Sequence, residues 1–418
     1  MPCILLPISK SIANRLLILQ AIHGDGLLTV SADMPDDVQL LHHALTTLHN
    51  ASNRSQSERP IGGTPSYSPS GRPIAAQAAS RSSIELGNCG TAMRFLTAYC
   101  AQLEGQTTIL DGVERMHHRP IGQLVDALRS IGADIEYLGE EGFPPLRITG
   151  KALDKSQPIT LNHPQSTQFV SALLLIGANV QTNSTSPYIT LTRELIEQYT
   201  LASSPISNSE ASNSPLGRPI AAQAASGSSI ELERDWSSAA FWYEYVALHG
   251  GEITLPGLSR ESLQGDKVVA DIFARLGVHT TYTPEGVRIS GNGYRESITN
   301  SEASNSPHSG RPIAAQAASN CKILEQDFAT CPDLYPAVAL TCERLGITLH
   351  ATGVESLPLK ESDRLRAVAE HRTDADHRMA MALLIAGYEV DDTDCIRKSY
   401  PRFIEQFRNI NPLKHTTI

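Results

Sequence analysis

The sequence predicts an α/β protein of two domains, assembled from recurring helix–strand–strand modules. Three observations carry this. A chain of 418 residues is longer than one core ordinarily organises. Residues 130–150 and 275–291 each follow an apolar-periodic helix, and each reads as a glycine stop, a strand, a turn, a strand and a closing glycine. Residues 343–353 begin in the same way. Alternating strands with helices covering one face are the pattern of an α/β fold.

The first helix is expected over PISKSIANRLLILQAI (7–22), with Ser11 as cap, Ile12, Leu16 and Leu19 on the apolar face, and Gly24 beyond the end. Lys10 stands at its mouth and Arg15 one turn in. Two cations beside a helix N-terminus suit a phosphate or carboxylate, and they equally suit the solvated face of an amphipathic helix. In LGNCGTAMRFLTAYC (86–100), Gly87 and Gly90 flank a turn, Thr91 is the expected cap, and the amides near Asn88, Gly90 and Thr91 offer an anion site with Arg94 on the first turn.

In ERMHHRPIGQLVDAL (114–128), Pro120 opens a helix and holds Arg119 at its entrance. His117 and His118 are adjacent, which is not metal-ligand spacing on a helix, so no metal is expected. Leu124, Val125, Leu128 and Ile131 form the apolar stripe, and Gly132 ends it. HPQSTQFVSALLLIGA (163–178) places Ser166, Thr167 and Gln168 at a helix start, with Tyr188 following, as hydroxyl and amide contacts for a polar ligand. In ERDWSSAAFWYEYVAL (233–248), Asp235 is an expected cap, and Trp236, Phe241 and Trp242 are expected core. Val268, Val269, Ile272 and Leu276 repeat the apolar stripe before Gly277. LPLKESDRLRAVAE (357–370) groups Lys360, Glu361 and Arg364. ADHRMAMALLIAG (375–387) sets Asp376, His377 and Arg378 ahead of an apolar helix, and IRKSYPRF (396–403) adds Lys398. Charges gathered at the entrances of buried helices point to a site rather than to a uniformly solvated face.

Composition narrows the function. With 34 basic and 44 acidic residues the formal charge is −10, which argues against nucleic-acid binding. The longest apolar stretches are too short to span a bilayer, and the N-terminus lacks a secretory layout. Seven scattered cysteines with no C-x-x-C pair suggest reduced thiols in a cytoplasm, and neither a zinc site nor a disulfide framework. GRPIAAQAAS occurs three times, at 71–80, 217–226 and 310–319, with irregular spacing that excludes a solenoid. These tracts are polar and are expected to be low-complexity insertions looping out of the fold.

SKSIANR, GNCGTAMR, ERMHHRPIG, STQF, ERDWSSA, KESDR, DHRMAM and RKSYP occur in this order. Together they resemble the 5-enolpyruvylshikimate-3-phosphate (EPSP) synthase family, from near the first residue to about Phe403. The insertions at about 50–82, 201–229 and 297–320 are not covered. The resemblance implies a two-domain inside-out barrel of repeated βαβαββ units, the enolpyruvyl transferase fold. One lobe would span 9–233 and the other 1–8 plus 234–418, with a shortened last unit. It implies a cytoplasmic transferase of the shikimate pathway, in aromatic amino-acid biosynthesis. The enzyme would move the enolpyruvyl group of phosphoenolpyruvate to the 5-hydroxyl of shikimate 3-phosphate and release phosphate. It would use no cofactor, no metal, and no nucleic-acid or membrane partner, and would act as a monomer.

Both substrates carry phosphate and carboxylate groups, which call for several cations. By resemblance, Lys10, Ser11, Arg15, Ser166, Thr167, Gln168, Thr185, Tyr188, Asp327, Ser356 and Lys360 hold shikimate 3-phosphate. Lys10, Asn88, Gly90, Arg119, Gln168, Arg364, Arg378 and Lys398 hold phosphoenolpyruvate. An addition–elimination needs two acid–base groups on opposite sides of the adduct; the resemblance gives these as Asp327 and Glu361, with Lys10 as helper.

The chain departs from the family at Ile8, where a glycine is usual, and at Thr167, where a serine is commoner. Between Arg364 and His377 the segment is too short for a helix end and a strand pair, an apparent deletion beside Glu361. That deletion is the mark of an alternative, a catalytically impaired remnant of the same family. The related UDP-N-acetylglucosamine enolpyruvyl transferase is a second alternative, and it carries a loop cysteine that ERMHHRPIG lacks.

Overall fold

The computed structural model describes residues 2–57, 80–202, 232–293 and 323–410; apart from Ser80, the three GRPIAAQAAS tracts lie outside the described residues. The first part of the chain forms α1 (Lys10–His23), α2 (Asp36–Ser57), β1 (Ser80–Glu85), α3 (Gly90–Ala101), β2 (Gln106–Asp111), α4 (Gly122–Ser130), β3 (Asp134–Tyr137), β4 (Leu146–Thr149), β5 (Ile159–Thr160), α5 (Thr167–Leu175), β6 (Val180–Gln181) and α6 (Pro187–Ala202). The second forms α7 (Trp236–His249), β7 (Gly251–Pro256), α8 (Val269–Ala274), β8 (Val278–Thr283), β9 (Gly286–Gly291), β10 (Ile323–Asp327), α9 (Tyr335–Leu345), β11 (Thr348–Thr352), α10 (Arg364–Glu370), α11 (His377–Ala386) and α12 (Phe403–Ile410).

The helix–strand–strand module is present twice. In the first, β1 runs parallel to β2, and β4 lies antiparallel between β2 and β3. Strand β2 alternates buried and half-buried residues, so Thr108 and Leu110 face the helices. In the second, β9 lies antiparallel between β7 and β8. Two further sheets are parallel pairs only, β5 with β6 and β10 with β11. After α10 the chain enters α11 with no strand between them. His371, Asp374 and Ala375 take the left-handed backbone region, which lets a few residues reverse the chain at some conformational cost.

Buried apolar residues fall into two clusters. One gathers around α1, α3 and α5, the other around α7, α9 and α11. Ile4 and Leu6 belong to the second although they open the chain. The crossing is fixed by backbone bonds, Ser9 N to Glu233 O at 2.8 Å and Asp235 N to Pro7 O at 3.0 Å. Trp236, Phe241 and Trp242 are fully buried in the second cluster. Among the described residues no helix is long and apolar enough to cross a membrane.

Three helix starts differ from expectation. Ser9, not Ser11, caps α1 and accepts from Ile12 N. Helix α3 starts at Gly90 without a side-chain cap, and Thr91 Oγ1 instead accepts from Gln168 Nε2 at 2.9 Å. Pro120 precedes α4, whose first residue is Gly122. Ser166 and Asp235 do cap their helices, each accepting a backbone N–H.

Candidate active site

Helix starts from both halves converge on one cavity of about 200 Å³. From the first half, α1 brings Lys10, Ser11 and Arg15. Arg15 is locked in place: Nε donates to Thr192 Oγ1 at 2.7 Å, Nη1 to the Ser11 carbonyl at 2.8 Å, and Nη2 to Ser171 Oγ at 3.1 Å. Lys10 Nζ lies 2.9 Å from Asp37 Oδ2. Burial alone would lower the Lys10 pKa, but Asp37 outweighs it and holds the ammonium above its ordinary value.

Gly90 opens α3 because two guanidinium groups close over it. A Cβ there would lie 2.4 Å from Arg94 Nη1 and 2.5 Å from Arg119 Nη2. Arg119 Nη1 donates to both the carbonyl and the side-chain oxygen of Asn88, at 3.1 and 3.2 Å. The Nε of Arg94 and that of Arg119 are buried without a hydrogen-bond partner. Burial and the neighbouring Arg119 also push the Arg94 pKa down, so an anion arriving here relieves both deficits.

The second half supplies a lattice of charges. Asp333 Oδ1 accepts from Arg364 Nη1 at 2.7 Å and lies 3.4 Å from Lys360 Nζ, while its Oδ2 lies 2.9 Å from Arg378 Nη2. Arg364 also donates to Asp376 Oδ2 at 2.8 Å and to Glu361 Oε2 at 3.0 Å. Glu361 Oε1 pairs with Lys398 Nζ at 3.1 Å. Burial would raise both carboxyl groups. For Asp333 the charges of Arg378, Lys360 and Arg364 outweigh it, and for Glu361 those of Lys398, Arg119 and Arg364 do, so both sit well below the carboxylate range. His377 is buried with neither ring nitrogen hydrogen-bonded, and burial, then Lys10 and Arg378, push its pKa well below the ordinary value.

Most of the expected residues meet in this cavity. Ser11, Arg15, Ser166, Thr167, Gln168 and Tyr188 line one side; Lys10, Gly90, Arg119 and Arg378 line it with Ser356, Lys360 and Glu361. Arg364 sits behind the wall, 1% exposed, enclosed by its three carboxylates. Asn88 and Lys398 line an adjoining cavity of about 860 Å³ that shares Asp37 and Glu361 with the first. Thr185 is exposed, and its neighbour Ser186 lines the cavity instead. Asp327 does not line it either: it ends β10 and its Oδ1 accepts from Ala329 N at 2.9 Å, closing a local turn. The carboxylate that reaches the cavity is Asp333, which sequence reasoning missed. Its signal was Pro332–Asp333 ahead of the apolar run of α9, a charge at a helix entrance like the others. Asp37, which the sequence did not single out, also lines the cavity, as do Arg94 and His377, which it grouped with the helix-entrance charges but gave no ligand. Among the described residues no group of His, Cys, Asp or Glu could hold a metal ion.

The family model for EPSP synthase (3-phosphoshikimate 1-carboxyvinyltransferase) matches residues 3–371 and 368–407. The chain belongs to the EPSP synthase family. The two matched segments meet at the connection between α10 and α11, where the strand pair is absent. A 3-phosphoshikimate 1-carboxyvinyltransferase of Bacteroides fragilis (strain YCH46) is 34% identical, covering 96% of this chain and 93% of its own. One from Colwellia psychrerythraea is 28% identical, covering 98% and 96%. The solved EPSP synthase of Acinetobacter baumannii superposes with a TM-score of 0.57 at 19% identity, covering 97% of this chain and 95% of that one. The fold is therefore that of the family, with its last unit shortened.

Proposed function

We propose that this chain transfers the enolpyruvyl group of phosphoenolpyruvate to the 5-hydroxyl of shikimate 3-phosphate, releasing phosphate, in aromatic amino-acid biosynthesis. The observation that carries the reading is the lattice joining Asp333, Arg364, Glu361 and Lys398, which presents two carboxylates among cations at one interlobe cavity. The shortened connection leaves this lattice intact, because Arg364 bonds Asp376 directly across it. Nothing therefore favours the impaired-remnant reading over an active enzyme.

Shikimate 3-phosphate lies against Lys10, Arg15, Ser166, Gln168, Tyr188 and Lys360. Phosphoenolpyruvate lies against the Gly90 amide, Arg119, Arg378 and Lys398, with Arg364 stiffening the wall. The two carboxylates divide the work by side. Asp333 neighbours Lys360 and Tyr188 and takes the 5-hydroxyl proton. Glu361 neighbours Arg119 and Lys398 and protonates the methylene as the hydroxyl oxygen bonds to the enol carbon. The tetrahedral adduct then breaks its carbon–oxygen bond to phosphate while the methyl group returns its proton to Glu361 and the double bond re-forms. The hydroxyl proton leaves with phosphate. Both carboxyl groups are strongly acidic because of the cations beside them; bound substrate anions offset those cations and bring the pKa values toward a range that exchanges protons.

The reading takes the protein as a monomer, since one chain supplies both walls of the cavity, and as cytoplasmic by its family. Phosphorus NMR of the purified chain with both substrates tests the assignment. The phosphoenolpyruvate signal should give way to inorganic phosphate only when shikimate 3-phosphate is present. Loss of that signal without shikimate 3-phosphate would make the protein a phosphatase instead.

A further inference from the structure

Arg115 belongs to the first lobe, in the 3-10 turn Glu114–His118, yet its guanidinium faces the second. Its Nε donates to the Glu361 carbonyl at 3.1 Å, and its Nη2 donates to the carbonyls of Pro358 and Lys360, each at 3.0 Å. We infer that Arg115 is a latch across the seam that fixes the Lys360–Glu361 segment, and so acts as a positioning residue for Glu361. The inference rests on the function proposed above.

The segment needs an outside donor. It contains the short turn Leu357–Leu359, whose N–H groups bond back along the chain: Leu357 N to Val354 O, Leu359 N to Ser356 O, and Lys360 N to Leu357 O. The carbonyls of Pro358, Lys360 and Glu361 accept from Arg115. A planar fork of several N–H donors can serve three carbonyls at once, which a lysine ammonium on its flexible stem does poorly.

The latch has a rigid root. Met116 is fully buried, Met116 N bonds Val113 O at 2.7 Å, and Arg119 N bonds Met116 O at 3.0 Å. Gly112 packs so closely that a Cβ would lie 2.4 Å from the Gly87 carbonyl. The turn that carries Arg115 therefore also carries Arg119 and abuts Asn88. Arg119 thus faces Glu361 from the same turn through which Arg115 holds the backbone of that segment. Lys398 closes the same seam, bridging the Asn88 carbonyl and Glu361.

The test compares wild type, Arg115→Lys and Arg115→Ala, none of which removes a group that touches substrate. Thermal melting and calorimetric Kd for shikimate 3-phosphate should match wild type in both variants. The loss should fall on kcat and on KM for phosphoenolpyruvate, with kcat/KM down by at least about tenfold in Arg115→Ala and less in Arg115→Lys. Millimolar guanidinium should restore part of the Arg115→Ala turnover and leave wild type unchanged. Hydrogen exchange of residues 357–361 should be slow in wild type and faster in Arg115→Ala. Wild-type turnover, or wild-type protection of residues 357–361, in Arg115→Ala would overturn the latch. So would parallel losses of melting temperature and shikimate 3-phosphate affinity in both variants, which mark a structural role alone. A wild type that protects residues 357–361 yet releases no phosphate counts against the proposed reaction, while the exchange comparison still decides the latch.

Discussion

Lys398 Nζ stands 3.1 Å from Glu361 Oε1 and 2.9 Å from the carbonyl of Asn88 on the opposite lobe. The acid–base carboxylate is thus tied to the seam between lobes through one ammonium. Glu361→Gln keeps the shape but cannot exchange the methylene proton. Turnover should fall by about 10²–10⁴-fold. Shikimate 3-phosphate binding should persist, because Lys10, Arg15 and Gln168 hold it from the other side. Steady-state rates beside calorimetry separate these outcomes, and wild-type turnover would remove Glu361 from the mechanism.

Asp333 and Asp327 make opposite predictions. Asp333→Asn removes the carboxylate shared by Arg364, Arg378 and Lys360, and should cost about 10²-fold or more in kcat. Asp327→Asn leaves the cavity untouched, since Asp327 serves the Ala329 turn, and an asparagine can keep that bond. Its kcat should stay within about twofold of wild type, because substitutions away from such features usually cost little. Equal loss in both variants would return Asp327 to the site.

Gly90→Ala pushes a methyl group into the guanidinium groups of Arg94 and Arg119. Those groups must retreat from the position where the substrate anion sits. KM for phosphoenolpyruvate should rise by about tenfold or more, the scale of one charge-assisted hydrogen bond. Affinity for shikimate 3-phosphate should hardly change. An unchanged KM would show that the arginines yield without consequence.

Glu244 lies in α7, fully buried, with neither carboxylate oxygen bonded, and burial raises its pKa well above the ordinary value. Such a group binds more protons folded than unfolded, so its cost is absent below the unfolded pKa and grows as pH rises above it. Glu244→Met conserves volume and removes the polar group. It should stabilise the protein by about 1–3 kcal/mol near neutral pH, with a larger gain at about pH 8 than at about pH 5. Denaturant melts at the two pH values check this; a gain independent of pH would contradict it.

The sequence exposed the parts of this fold that depend on periodicity. Both strand pairs, 134–149 and 278–291, alternate between glycine stops, and they fold where the alternation lies. The short connection after α10 was legible from length alone. Choices between near neighbours were not legible. Ser9 and Ser11 flank the same lysine, and the cap went to Ser9, whose backbone is extended. Thr185 and Ser186 differ by one position on the same approach to α6, and the inward side belongs to Ser186. Asp327 and Asp333 both precede α9, and only the path of the loop between them decides which enters the cavity. Arg115 was unreadable because its partners lie 243 to 246 residues away.

This chain, with its last unit shortened, still performs the family's transfer. Phosphate release by the purified full chain, measured with both substrates and with each omitted, tests it most directly. Sustained release should require both substrates and yield an enolpyruvyl ether of shikimate 3-phosphate in equal amount. A folded protein that binds shikimate 3-phosphate but releases no phosphate would contradict it.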